Sequence, residues 1–364
     1  MRPTRFRRVL ITALLGLLLL PFAPGCDTGG SDIETSVTVM TRNLYLGGDL
    51  FLLLQAQDAT QVPALVQQLY FGSVVTSDIP ARMAAVADEI EANDPDLVGL
   101  QEVTLYRTQS PSDYVTGTTA PNATTVSFDF LQILLDALAD RGLNYTVVAT
   151  NENADVELPA TANGTSFTDI RLTDRDVILA RSGLTTSNVT EQNFAINASI
   201  PIGGTDFEFT RGYSTAEVMK EGVSFTFGNA HLEVGGPAAV AQAAQARALV
   251  AALGDTNPLI LLGDFNSGPD NTGADLEAYN ALTGAFSDAW SVFRPNDDGP
   301  TCCEAADLRN DTSELDTRID LVLYDGDITP TAIGRVGEEP ADQTPSGLWP
   351  SDHAGVVATL TVRN

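Results

Sequence analysis

The chain has 364 residues, of which 43% are hydrophobic, and a formal net charge of −29. This length allows one large domain or two of ordinary size, and the hydrophobic content excludes a largely disordered protein. The acidic balance lacks the basic footprint of an ordinary nucleic-acid-binding protein, so long nucleic acid is weakly disfavoured as a partner. The same acidity also suits a soluble protein that is exposed to salt.

Residues 1–25 have the pattern of an export signal. A basic start is followed by an apolar run that ends at Ala23 and is short for a membrane span. Small residues precede Cys26 as in the lipobox of bacterial lipoproteins, although Ala23 stands where Leu is usual. We expect lipidation of Cys26, a polar tether over 26–36, and an exported, membrane-anchored protein of the cell envelope, periplasmic or surface-exposed. The alternative is an ordinary cleaved signal with a chance cysteine.

The two other cysteines, Cys302 and Cys303, are adjacent in the sequence. Three cysteines are too few for a disulfide framework. The pair is compatible with a vicinal disulfide, with two thiols, or with two different partners. It does not predict a metal site, because no further cysteine is available and both histidines belong to other motifs.

Strand patterns dominate the remainder, with helices interspersed, and we interpret 37–364 as one domain. The first strand begins at Val37 and carries Asn43 near its end. A helix follows Asp78, a plausible N-cap, with Pro80 in its first turn. Residues 151–170 are polar and predict a surface loop. A buried strand is predicted after the turn at Asp94–Pro95 and ends on Gln101 and Glu102. Further helices are predicted at 50–75, 128–140 and 238–253, and further strands at 145–149, 176–180, within 185–220, and at 223–230, 259–262, 318–323 and 355–361.

The stretch PLILLGDFNSGPD, residues 258–270, organises the chain. Four apolar residues predict a strand that is covered on both faces, and Gly263 lets the backbone turn after it. Asp264 and Asn266 then leave the carboxyl end of the strand, where layered α/β sheets usually place chemistry. The alternative is a turn in which Asp and Asn bond their own backbone.

Other polar residues also stand at the ends of predicted strands. Both histidines of the chain, His231 and His353, occupy such positions. Carboxylates with carboxamides suit a hard cation such as Mg²⁺, with Mn²⁺ as the alternative, and a histidine beside it suits acid–base work. The combination describes metal-assisted phosphoryl hydrolysis. The acids and amides at strand ends are Asn43, Glu102, Asp264, Asn266, Asp320 and Asp352.

The order of these motifs resembles the endonuclease/exonuclease/phosphatase superfamily, which includes DNase I-like nucleases, neutral sphingomyelinases and inositol polyphosphate 5-phosphatases. The resemblance spans about residues 37–364 and implies a four-layer α/β sandwich. In that fold two mixed β-sheets pack face to face, helices lie outside, and the site lies at one rim. The motifs are Asn43, LQE at 100–102, NAHL at 229–232, GDFN at 263–266, RID at 318–320 and SDH at 351–353.

The resemblance also implies a metal site and a phosphate site. Glu102 would be the principal Mg²⁺ ligand, with Asn43 beside it and Asp352 near the metal. Asn266 would hold the phosphate. Arg175 stands where some nuclease members carry an arginine that touches phosphate, and its alternative is a surface ion pair.

The remaining roles implied by the resemblance concern proton transfer. Asp264 would position or activate the attacking water, and His353, oriented by Asp320, would act as a base or contact the phosphate. Which of Asp264 and His353 takes the proton stays open. His231 would stabilise the pentacoordinate phosphate or assist the leaving oxygen.

We therefore expect a monomeric, envelope-anchored, Mg²⁺-dependent hydrolase of a phosphate-ester substrate, in one interpretation similar to phospholipase C or sphingomyelinase. The alternatives are a secreted endonuclease, a small-molecule phosphatase, and a non-catalytic surface binding protein on the same fold. The apolar run 50–54 and Trp349 near His353 favour a lipid substrate. The run also fits a buried helix face.

Overall fold

Two mixed β-sheets lie face to face at the centre of the computed structural model, which describes residues 33–363. The predicted signal and the predicted lipidation of Cys26 lie outside the described residues. The first strand begins at Glu34 rather than at Val37, so the predicted tether is too long at its C-terminal end. No helix within residues 33–363 is both long and apolar enough to span a bilayer.

The strands follow the predicted distribution along most of the chain. In order they are β1 Glu34–Asn43, β2 Leu97–Gln101, β3 Leu105–Gln109, β4 Thr125–Asp129, β5 Tyr145–Ala160, β6 Thr168–Arg181, β7 Thr185–Asn193, β8 Ala198–Ile202, β9 Thr205–Phe209, β10 Gly212–Lys220, β11 Val223–His231, β12 Leu259–Asp264, β13 Ser287–Asp288, β14 Asp320–Asp325, β15 Ile328–Val336 and β16 Gly355–Arg363.

Six α-helices are interspersed among these strands in the described residues. They are α1 Val62–Gln67, α2 Ile79–Asn93, α3 Phe130–Asp140, α4 Ala239–Leu253, α5 Glu277–Thr283 and α6 Ala289–Phe293. The predicted helical segment at 50–75 is confirmed, although it consists of short pieces. These are a 3₁₀ turn at Leu50–Gln55, α1, a π-helical turn at Gln68–Ser73 and a 3₁₀ turn at Val74–Thr76.

The sheet order produces the predicted sandwich. The larger sheet runs β15-β16-β1-β2-β6-β3-β4, with β5 also paired to β6, and the smaller runs β13-β14-β12-β11-β10-β7. β8 and β9 form a separate hairpin. The pairs β1–β2 and β11–β12 are parallel and the others are antiparallel, so both sheets are mixed. The predicted fold class is confirmed.

Alternating apolar residues explain why the two sheets stack. Val39 of β1 packs in one cluster with Phe227 of β11 and Leu262 of β12. Gly99 permits the close approach, because a Cβ there would lie 2.2 Å from the Leu262 side chain. The outer faces are covered by helices, α2 and α3 on the larger sheet and α4 and α5 on the smaller. The order of layers is therefore helix, sheet, sheet, helix.

One local prediction is wrong, and another, the N-cap at Asp78, is confirmed in position only. Residues 151–170, predicted as a surface loop, lie largely in the antiparallel pair β5–β6. Polar residues there are buried in hydrogen bonds, as in the 2.8 Å bond from Asn153 Nδ2 to Asp176 Oδ2, so polarity did not signal exposure. Asp78 precedes α2 but has a left-handed backbone (φ 47°) and makes no side-chain capping bond.

Candidate active site

Three neighbouring strands of the smaller sheet reach the same edge, and each contributes one polar side chain there. His231 is opposite Asp264 across the parallel pair β11–β12, and Asp264 is opposite Asp320 across the antiparallel pair β12–β14. All three side chains are buried. The register therefore unites residues that are distant in sequence.

The larger sheet adds Asn43 and Glu102 from its parallel pair. Asn43 is opposite Gln101, so Glu102 follows directly at the same edge. Asn43 Nδ2 donates to Asp264 Oδ2 at 3.1 Å, and this bond links the two sheets at the site. Asn43 Oδ1 accepts from the backbone N–H of Tyr45 at 2.8 Å, which orients the amide.

Glu102 has a left-handed backbone, with φ 54°, immediately after β2. Such a conformation in a non-glycine residue is uncommon and concentrates at functional sites. Glu102 Oε2 accepts from the backbone N–H of Leu46 at 2.8 Å. Burial, followed by the negative charges of Asp352 and Asp174, raises the pKa of Glu102 to about 8. The site therefore disfavours an uncompensated charge on Glu102.

Gly263 and Asn266 shape the GDFN turn. A Cβ on Gly263, which has φ 149°, would lie 1.8 Å from the carbonyl oxygen of Ala230, so only glycine lets β12 run this close to β11. Asn266 has φ 51° and donates from Nδ2 to the carbonyl oxygen of Leu232 at 3.0 Å. These contacts hold the Asn266 amide in the wall of a cavity that Asp264 also lines.

Asp264 occupies the centre of the polar cluster. Its Oδ2 lies 3.1 Å from Asn43 Nδ2, 3.5 Å from His231 Nε2 and 3.9 Å from His353 Nε2. Its Oδ1 accepts from the backbone N–H of Asn266 at 2.9 Å. Both sheets and both histidines therefore converge on this carboxylate.

His353 is held by Asp320. Its Nδ1 lies 2.8 Å from Asp320 Oδ2 and donates to this carboxylate. Its Nε2 lies 3.9 Å from Asp264 Oδ2 and 4.0 Å from Asp352 Oδ1. Burial alone would lower the pKa of His353. The carboxylates of Asp320, Asp352 and Asp264 outweigh burial and raise this pKa well above its usual value.

His231 has the opposite electrostatic environment. Burial, assisted by the guanidinium of Arg211, lowers the pKa of His231 to about 4. Arg211 Nη1 lies 3.1 Å from His231 Nδ1, and a guanidinium can only donate. Nδ1 is therefore the acceptor, and the proton of the neutral ring resides on Nε2, the nitrogen 3.5 Å from Asp264 Oδ2.

The acidic residues fit a hard divalent cation. Glu102, Asp264 and Asp352 line one cavity, and within residues 33–363 neither Glu102 nor Asp352 forms an ion pair with lysine or arginine. Buried carboxylates without a compensating positive charge are costly. A donor set of carboxylate and amide oxygens is the set that Mg²⁺ prefers.

Arg175 does not line the cavity, so the structure does not support its predicted contact with phosphate; it forms an ion pair, as in the alternative, although the arginine is buried rather than on the surface. Arg175 Nη2 binds Asp129 Oδ1 at 2.6 Å, and Nε donates to the carbonyl oxygen of Val103 at 2.8 Å. Arg211, which the sequence analysis missed, is the arginine that lines the cavity. It reaches the site because Gly212 pairs with His231 in the β10–β11 hairpin, a register that the sequence does not display.

The position of Trp349 in the fold decides whether this side chain can contact a lipid. Trp349 is buried against Tyr45, Leu308 and Leu348 and donates its indole N–H to the carbonyl oxygen of Asn310 at 2.9 Å. It therefore provides no surface for lipid.

Cys302 and Cys303 form a vicinal disulfide, the first of the three alternatives, in the wall of the cavity.

The cavity has a volume of about 350 Å³ and two chemically different walls. One wall carries the polar cluster around Asp264. The other is apolar and comes mainly from the turn after Asp49 and from the β8–β9 hairpin. The apolar lining side chains are Leu46, Leu50, Phe51, Leu53, Leu54, Ile200, Ile202, Phe209 and Val234.

Solved structures with the same fold support the architecture. A protein of the endonuclease/exonuclease/phosphatase family from Bacteroides thetaiotaomicron matches with a TM-score of 0.53 and 17% identity, over 90% of this chain and 98% of that one. A family member from Leptotrichia buccalis matches with a TM-score of 0.53 and 12% identity, over 90% of this chain and 99% of that one. D. rerio TDP2 complexed with single-strand DNA product matches with a TM-score of 0.51 and 15% identity, over 90% of this chain and 99% of that one.

The family model provides the assignment that these distant structures do not. No curated protein matches the sequence. The model of the endonuclease/exonuclease/phosphatase family matches residues 76–353, which is more than half of the chain and includes both histidines and Asp264. The chain therefore belongs to the endonuclease/exonuclease/phosphatase family, whose members are phosphoric ester hydrolases.

Proposed function

We propose that this protein is a Mg²⁺-dependent phosphodiesterase of the cell envelope that cleaves phosphodiesters with an apolar substituent, as a phospholipase C-like enzyme does. The observation that carries the proposal is the cavity around Asp264, whose lining combines polar side chains with many apolar ones. The polar side chains are those of Glu102, Arg211, His231, Asp264, Asn266, Asp352 and His353. The polar groups support the reaction, and the apolar wall supports the substrate class.

The oxygen donors at the cavity would hold the cation. Glu102 and Asp352 would be the charged ligands, and Asn43, whose Nδ2 donates to Asp264 Oδ2, lies at the same edge as Glu102. When bound, Mg²⁺ supplies Lewis-acid stabilisation of the charge on a phosphoryl oxygen.

The other residues bind the phosphate and move protons. Asn266 and Arg211 line the cavity with hydrogen-bond donors for phosphoryl oxygens, and Arg211 Nε has no partner among residues 33–363. His231 presents its Nε2 proton to the phosphate or the leaving oxygen. Asp264 orients the attacking water and can accept its proton. His353, whose Nε2 lies 3.9 Å from Asp264 Oδ2, could take the proton only if a bound cation offset the surrounding carboxylates and so lowered the raised pKa of this histidine.

The side chains that line the cavity include many acidic and apolar residues, and this composition disfavours a polyanionic substrate. Arg211 is the one arginine or lysine among the lining residues, whereas six lining residues are acidic. Phe51 and Leu54 are 53% and 44% exposed at the apolar wall, an arrangement that is unfavourable in water unless a ligand covers it. The acidic lining residues are Asp49, Glu102, Glu233, Asp264, Glu304 and Asp352.

The envelope location rests on the export signal and the expected lipid on Cys26. A tethered enzyme would meet amphiphilic phosphodiesters at high local concentration, which agrees with the apolar wall.

Two synthetic esters test the proposal. The purified protein is given p-nitrophenyl methyl phosphate and p-nitrophenyl octyl phosphate, both as monomers, with Mg²⁺ and then with EDTA. We expect hydrolysis only with Mg²⁺ and a kcat/KM at least about tenfold higher for the octyl ester, because several methylenes become buried. The double variant F51S/L54S should reduce the octyl-to-methyl ratio. Val240→Ser, which alters a residue 82% exposed on α4, is the matched control and should keep that ratio.

The outcomes separate the two parts of the proposal. Absence of Mg²⁺-dependent hydrolysis for both esters would refute the enzymatic function. Equal kcat/KM values for the two esters would retain the phosphodiesterase and refute the apolar substrate class.

A further inference from the structure

A second group of buried oxygens lies outside the catalytic cavity, where the loop 110–124 meets β5 and β6. Asp113, Glu157 and Asp169 each contribute one carboxylate oxygen, and these oxygens lie within 4.8 Å of one another. Glu157 and Asp169 are 2% and 0% exposed. None of the three lines the catalytic cavity.

The group has no direct ion-pair partner among the described residues. Within residues 33–363, none of the three carboxylates forms an ion pair with lysine, arginine or histidine. Arg171, whose guanidinium senses the charge of Glu157, is bound to Asp155 at 2.6 Å. Three carboxylates crowded together in a buried place without a cation would be strongly destabilising.

Three side-chain oxygens at this place also lack hydrogen-bond partners. They are Asp113 Oδ1, Asn122 Oδ1 and Glu157 Oε1, and each is a buried atom. The opposite oxygen of Glu157, Oε2, accepts from the backbone N–H groups of Asn122 and Ala123 at 2.8 and 2.7 Å. The backbone thus fixes the Glu157 carboxylate and leaves Oε1 for a ligand. Unpaired buried oxygens of this kind require an explanation.

Asp169 is fixed in a similar way from the other side. Its Oδ1 accepts from the hydroxyl of Ser112, and its Oδ2 accepts from the backbone N–H of Asp113 at 2.9 Å. Asp113 Oδ2 in turn accepts from Asn122 Nδ2 at 2.9 Å. The loop and the two strands therefore hold the carboxylates in place despite their mutual repulsion.

We propose that Asp113, Asn122, Glu157 and Asp169 form a Ca²⁺ site that fastens the loop 110–124 to β5 and β6. Ca²⁺–oxygen distances are about 2.3–2.6 Å, so two ligands of one ion lie at most about 5 Å apart, and the three carboxylate oxygens, all within 4.8 Å of one another, satisfy this limit. The donors are all oxygens, which excludes a preference for Zn²⁺. Ligands from a loop and two strands suit the irregular coordination of Ca²⁺ better than the strict octahedron of Mg²⁺.

The test measures Ca²⁺ binding without using catalysis. The full-length protein is stripped with EDTA and placed in excess Mg²⁺, which occupies the catalytic site. Ca²⁺ is then added, its binding is counted by equilibrium dialysis, and the Tm is recorded. We expect one Ca²⁺ per chain and a Tm increase of roughly 4 °C at a hundredfold excess over Kd.

Three variants locate the site. Glu157→Gln and Asp113→Asn should lose the bound Ca²⁺ and the Tm increase, whereas the exposed Asp270→Asn should keep both. Asp113 is only partly buried, so it provides a second test if Glu157→Gln does not fold. No Ca²⁺ bound by the wild type in excess Mg²⁺ would overturn the proposal, and so would an unchanged Tm response in Asp113→Asn.

Discussion

Asp320 Oδ2 accepts a hydrogen bond from His353 Nδ1 at 2.8 Å, and both side chains are buried. Arg318, two residues before Asp320, does not pair with this carboxylate, since its Nη1 binds Asp288 Oδ2 at 2.9 Å. Asp320 therefore fixes the orientation of a histidine whose Nε2 points to Asp264. A carboxylate in this position also stabilises the imidazolium form of His353, which agrees with the raised pKa of this residue.

The first prediction concerns the coupling of these two residues. Replacing His353 with Ala should slow the chemical step by ~10²–10⁴-fold, the usual range for a positioned acid–base group. Asp320→Asn should slow the same step. Because the residues act as one unit, the double variant should lose far less than the product of the two single losses. Single-turnover rates of the three variants on the methyl ester measure this coupling, and multiplicative losses would contradict it.

The second prediction concerns Mg²⁺ at Glu102. Glu102→Gln keeps the shape of the side chain but removes one ligand charge, so the Mg²⁺ concentration for half-maximal activity should rise by at least about tenfold, and the rate should fall. A Mg²⁺ titration of activity measures both. The matched control is Glu277→Gln, an exposed residue on α5 that pairs with Arg247. An unchanged titration curve for Glu102→Gln would remove Glu102 from the metal site.

The third prediction is a pH dependence of stability that arises from His231. The pKa of His231 is about 4 in the folded protein and about 6.5 when unfolded, so between these values the unfolded chain binds a proton that the folded protein does not. The free energy of unfolding should therefore fall by about 2 kcal/mol from pH 7 to 4.5 on account of this residue.

Denaturant unfolding of the wild type and of His231→Gln at both pH values measures the His231 contribution. The variant should lose less stability than the wild type on acidification, because glutamine at position 231 has no side-chain proton to bind in this window. Equal losses in the two proteins would show that His231 is not held neutral.

The fourth prediction concerns Cys26. The wild-type protein should fractionate with membranes after expression in its native cells, and Cys26→Ala should abolish that association because the lipid attachment atom is removed. Cell fractionation followed by immunoblotting measures the distribution, with Cys303→Ala as the cysteine control. Wild type recovered entirely as free soluble protein would contradict the lipid anchor.

Individual motifs determined most of the candidate site. The apolar run 259–262 is a strand under any packing that buries it, and Gly263 with Asp264 and Asn266 must then leave its end. The same reasoning predicted Glu102 after β2 and His231 at the end of β11. These predictions are local, since each needs only strand periodicity and a polar residue at the terminus.

Arg175 and Arg211 show where such local reasoning fails. Arg175 lies within β6 and Arg211 directly precedes β10, and nothing in the local sequence tells which of the two meets the site. Antiparallel register carries Arg211 to His231, whereas the β6 register and the neighbouring loop carry Arg175 to Asp129. Which arginine meets the site is a long-range property that depends on which strands pair.

The sequence by itself determined the strand ends, the acidic charge balance and the motif order, because periodicity, composition and residue chemistry are local properties. Only the tertiary structure decided which groups meet, because side chains distant in the chain converge through sheet register and sheet stacking. It buried Trp349, brought Phe51 and Leu54 to the cavity, and gathered Asp113, Glu157 and Asp169 into one cluster. The polar stretch 151–170 misled for the same reason, since burial of a polar residue depends on partners that its own sequence does not contain.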